Sequence, residues 1–134
     1  MANTDNIISF VAGGAITEFA LVSINADGKV EVTTAPTDIN VIGVAQRAAS
    51  AGEAVEVLIH GITRVVISQA LTFHNNPMLS AAAAGQVQPC AFGGAPDTTF
   101  FPVARVLPNI NQKSSAGAGE QIKVLFFGPV SRAS

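Results

Sequence analysis

The feature that most constrains this chain is a repeat inside it. Gly52-Glu53-Ala54-Val55-Glu56-Val57-Leu58-Ile59-His60-Gly61 recurs as Gly119-Glu120-Gln121-Ile122-Lys123-Val124-Leu125-Phe126-Phe127-Gly128, each block opening on Gly-Glu and closing on Gly. Residues 21–30 and 78–87 also match in order, and Val41-Ile42-Gly43-Val44-Ala45 has its counterpart in Pro102-Val103-Ala104-Arg105-Val106. A chain of 134 residues built this way divides into related halves near 16–61 and 73–128. Each half has too little material to enclose a good core alone, so one core shared between apposed apolar faces is expected.

The repeated blocks read as strands. Val55, Val57 and Ile59 fall on one face, with Glu56, Leu58 and His60 on the other; Leu125 and Phe127 repeat the outward positions. Residues 19–34 read as a hairpin, with Asn25-Ala26-Asp27-Gly28 as its turn and Val30, Val32 and Thr34 resuming at period two. Further strands are expected at 41–46, 64–68, 100–107 and 121–127, with Gly61 ending its segment and Pro102 marking an edge or a strand start. The four alanines at 81–84 favour helix by propensity, whereas the repeat sets them before a turn; a short helical turn stays open. The expected fold is mainly β, a compact β-sandwich or irregular β-barrel from two pseudo-repeated halves, with at most one or two short helices. Residues 1–15 read as an N-terminal arm on a single β-rich domain spanning 16–134. Ile7-Ile8-Ser9-Phe10-Val11 either anchors that arm or joins the main sheet.

Composition narrows the function. Charged residues make up 12% of the chain, about half the usual share, while Trp and Tyr are absent and the eight Phe are the only aromatics. So sparse a charge supply points to a surface partly covered by something else. The net charge of −2 and the scattered Lys and Arg give no phosphate-binding cluster, so no nucleic-acid partner is expected. The single Cys90 excludes an intrachain disulfide framework. The apolar runs are short and interrupted, and the N-terminus lacks the pattern of a secretory signal, so no membrane association and a soluble intracellular product are expected.

Catalytic constellations are missing. His60, His74 and Cys90 have no local spacing of a metal site or an activated nucleophile, and each has an inert reading in a strand or loop. Phe10-Val11-Ala12-Gly13-Gly14 lacks the Lys-Ser or Lys-Thr of a phosphate loop. Glu53 sits in a turn and Glu56 on the following strand, so they form no fixed acid–base pair; Glu53 and Glu120 solvate equivalent turns instead. No metal, no cofactor and no enzymatic activity are expected.

Val41-Ile42-Gly43-Val44-Ala45, followed by Ala51-Gly52-Glu53-Ala54-Val55-Glu56-Val57 and Gly61, resembles small decoration or cement proteins of tailed-bacteriophage heads. Leu79-Ser80, Gly85-Gln86-Val87 and Gly119-Glu120-Gln121-Ile122-Lys123-Val124 extend the likeness over roughly residues 16–128. The resemblance implies a homotrimer, made in the host cytoplasm, that binds the exterior of the capsid and bridges major capsid protein subunits. On that reading Ile7, Ile8, Phe10 and Val11 are candidate arm contacts, and Leu58, Leu125 and Phe127 candidate interface residues; burial within their own subunit is the competing role. The alternative is a phage accessory module that binds a carbohydrate or a host-surface receptor.

Overall fold

The computed structural model describes residues 6–34, 40–72, 78–89, 102–107 and 115–129. The protein is mainly β, with two five-stranded antiparallel sheets, and a 3-10 turn lies at Ala83–Gly85. The first sheet contains β1 (Ile7–Val11), β2 (Leu21–Ile24), β3 (Val30–Val32), β4 (Val41–Ala45) and β5 (Ala54–Leu58), in the order β1-β5-β4-β2-β3. The second contains β6 (Gly61–Val66), β8 (Met78–Ala81), β9 (Val87–Pro89), β10 (Pro102–Val106) and β12 (Gln121–Phe126), in the order β6-β12-β10-β8-β9. β7 (Leu71–Thr72) and β11 (Ser115–Ala116) form a small separate ribbon.

Taken in chain order, the two sheets have the same topology, and the likeness reaches individual bonds. Ile24 pairs with Val30 and Ala81 with Val87 across the two hairpins. Both sheets carry a bulge at one place, opposite Val22 and Ser23 in the first and between Pro102 and Ala104 in the second. Ala12 bridges Val30 in parallel, and Ile67 bridges Val87 in parallel, so each sheet curls until the ends of its outer strands meet. Gly52 and Gly119, at φ +87° and +89°, donate to Ala12 and Ile67 at 2.8 Å, and their positive φ explains why each repeat block opens on glycine. The next residue braces the turn in both halves: the Glu53 carboxylate accepts from Ser50 N–H at 2.8 Å and that of Glu120 from Gly117 N–H at 2.6 Å.

This topology starts the repeat one strand earlier than the sequence blocks suggest. Residues 7–11 join the main sheet by pairing along β5, and Gly61 opens β6 instead of closing a half. β1 and β6 are counterparts, with Ile7 opposite Leu58 and Ile62 opposite Leu125. Pro102 starts a central strand, where it is buried opposite Ser80.

The expectation of a single shared core is replaced by two. The first half encloses Ala12, Ile16, Ala20, Val22, Val30, Ala45, Ala49, Val55 and Val57. The second is larger and incorporates Leu21, Val41 and Val44 from the outer face of the first sheet. Curling lets each half enclose apolar side chains that a flat sheet of this size would leave wet. Phe19, at φ +62°, also packs from the first half onto the second core. The alanine run resolves as strand end and turn: Ala82 N–H donates to Gln86 O at 2.8 Å, matching the Asn25 N–H to Lys29 O bond of the first hairpin.

Candidate interaction surface

β1 is the outermost strand of the first sheet, and it is apolar on both sides. Its register sets Ile7 and Val11 opposite Leu58 and Ala54 on the outer face, and Ile8 and Phe10 opposite Val57 and Val55 on the inner face. Ile7, Ile8 and Val11 are 41%, 43% and 43% exposed, whereas Phe10 is half-buried against the first core. Edge strands are commonly blunted by charge. β6 follows that rule with Arg64, but β1 has Ser9 at the matching position. β1 is therefore suited to being covered.

The other expected interface residues do not form one patch with β1. Leu58, expected to point outward, is only 7% exposed; it lies beside Val44 across the β4–β5 ladder, on the face that the second half covers. Leu125 and Phe127 are half-buried, while Phe126 between them is fully buried in the second core. Ile62, missed in the sequence, is the most exposed large apolar side chain described, at 60%. Its signal was available as the counterpart of Ile7, but it was hidden by reading Gly61 as a strand end.

The groups tested for chemistry are used structurally or stand apart. Glu53 braces its turn. Glu56 accepts from Arg47 Nε at 2.6 Å, and this hydrogen bond holds its carboxyl below the ordinary value against an opposing effect of desolvation. Arg47 also donates to Ala54 O, so it ties the start of β5 to the loop after β4. Gly13 N–H donates to Val30 O at 2.7 Å, within the sheet closure. His60 is exposed, and His74 and Cys90 lie outside the described residues. Among the described residues no group of three or more His, Cys, Asp or Glu could hold a metal ion.

No protein-family model matches the chain, and no curated protein matches it. A solved structure does: the head fiber gp8.5 N base in bacteriophage phi29 superposes with a TM-score of 0.61 at 14% sequence identity, covering 94% of this chain and 98% of that one. At that identity the likeness establishes a common fold over nearly the full length of both.

Proposed function

We propose that the chain is a non-enzymatic accessory module of a bacteriophage head, standing on the outside of the virion as a homotrimer. The observation that carries this reading is the end-to-end structural likeness to the base of a head fiber. An appendage base must resist distortion and adhere to neighbours, and the duplicated curled sheets with an uncovered apolar β1 suit both requirements. Adhesion through many such modules on one particle gains strength from multivalency.

The exposed Ile7, Ile8 and Val11 also support a second reading, in which the module cements the shell by bridging major capsid subunits. The likeness to an appendage favours the accessory role. Carbohydrate or receptor recognition by this module would need a site other than a described aromatic platform, since Phe10, Phe19 and Phe127 are half-buried and Phe126 is buried. Cryogenic electron microscopy of virions from the encoding phage tests the location: density for this fold on the head exterior is expected, and its absence there refutes the proposal. Heads lacking the chain separate the two roles. Unchanged resistance to heat supports the accessory role, and loss of packaged DNA supports cementing.

A further inference from the structure

The two halves meet through a one-sided contact. Leu21, Val41 and Val44, on the outer face of the first sheet, complete the second core. Gln46 Nε2 donates to Thr63 Oγ1 at 3.1 Å, Thr33 Oγ1 donates to Ala82 O at 2.8 Å, and Gly85 N–H donates to Thr33 O at 3.1 Å. Gly28, the counterpart of Gly85, would meet nothing within 4 Å if it carried a Cβ.

Such a contact between two copies of one motif uses two different surfaces and leaves one of each unused. On the first half the unused surface is the inner face. Ile8, Phe10, Ile24, Ile42 and Ile59 are exposed or half-buried there, while their counterparts Thr63, Val65, Ala81, Val103 and Phe126 are all buried. On the second half it is the outer face. Met78, Arg105, Leu107 and Leu125 occupy the places of Leu21, Val44, Gln46 and Leu58, and none of the four is buried, whereas Pro102, at the place of Val41, is buried.

Two features match these surfaces to each other. The polar pair Gln46–Thr63 inside the molecule has the apolar counterparts Leu107 and Ile8, so both members change character together. Charge is also divided. Residues 1–60 hold seven acidic and two basic side chains, a formal charge of −5, and residues 61–134 hold two acidic and five basic, a formal charge of +3. Arg64, Arg105 and Lys123 are exposed on the outer face of the second sheet. Opposite charges on the two ends favour head-to-tail encounter and disfavour like-to-like pairing.

We propose that the outer face of the second half of one copy closes the inner face of the first half of another, repeating between molecules the contact already made within one. The second copy covers the exposed and half-buried rim of the first core. In a homotrimer, three such contacts close a ring. The pairing of faces is independent of the virion reading, because it concerns the purified chain alone.

Sedimentation velocity of the wild type, Ile8→Asp and Arg105→Glu decides it, with circular dichroism confirming that both exposed-site variants remain folded. The wild type is expected to be an oligomer of the 13.7 kDa chain. Each variant should dissociate with an affinity loss of roughly 100-fold. An equal mixture of the two variants should form dimers and nothing larger, since each retains the one face that the other has lost. A monomeric wild type, a folded variant that still forms the full oligomer, or a mixture that stays monomeric overturns the proposal.

Discussion

The two hairpin turns occupy the same place in the two halves and meet opposite surroundings. In the first, Asn25 Oδ1 accepts from Asp27 N–H at 2.9 Å and Lys29 N–H at 3.1 Å, and the turn stands in water. In the second, alanines replace the polar side chains, Ala84 adopts φ +60°, and Gly85 presses against Ala20 and Leu21. The polar turn is held largely by its own side chain, whereas the alanine turn is held by what it docks on. An alanine run between strands can thus mark a contact surface when its register is fixed by a repeat.

Substitution of the paired glycines is the strongest way to break this comparison. A Cβ at Gly85 would lie 2.7 Å from Ala20 Cβ and 3.1 Å from Leu21 O, at a positive φ, while one at Gly28 would enter open space. Gly85→Ala should cost about 3 kcal/mol and Gly28→Ala about 1 kcal/mol in urea unfolding. Equal losses would show that the second turn is not docked. Next in size, Thr33→Val removes the buried hydroxyl that donates to Ala82 O, and a loss of about 1–2 kcal/mol is expected; an unchanged midpoint would mean that the bond does not hold the turn. Ala84→Gly should relieve left-handed strain and raise stability by roughly 0.5 kcal/mol, whereas Asp27, at the matching place, has no such strain to relieve.

The smallest effect belongs to the ion pair that, among the described residues, only the first half possesses. Because Arg47 lowers the Glu56 pKa on folding, the pair's contribution is present above the unfolded carboxyl value and is lost as pH falls through the folded one. Glu56→Gln should therefore lower the melting temperature slightly at neutral pH and match the wild type in acid, as thermal scans across that range would reveal. A gap that persists in acid would assign the loss to packing.

Much of the repeat was legible because its punctuation has a mechanical cause. Gly28 and Gly85, Gly52 and Gly119, and Gly61 and Gly128 all have positive φ at matching places, and such glycines survive as sequence signals. β1 and β6 were harder to match, since Ile8 and Phe10 are exposed and half-buried where Thr63 and Val65 are buried, and Ser9 stands where the second half has Arg64. Alternation correctly placed Val55 and Val57 inside, but it also set Leu58 outside, because period two says which face a side chain occupies and not whether a second layer covers that face. The apolar residues of β1 left contact and burial both open, and Ile62 is found only through the topology.

Dependence between the two cores runs in one direction, and this orders events during synthesis. The nine buried residues of the first core all precede residue 58, so they are available as soon as that half leaves the ribosome. The second core is completed by Leu21, Val41 and Val44, which the N-terminal half supplies. The N-terminal half thus carries part of the surface on which the later half closes, and those residues leave the ribosome before the strands they pack against.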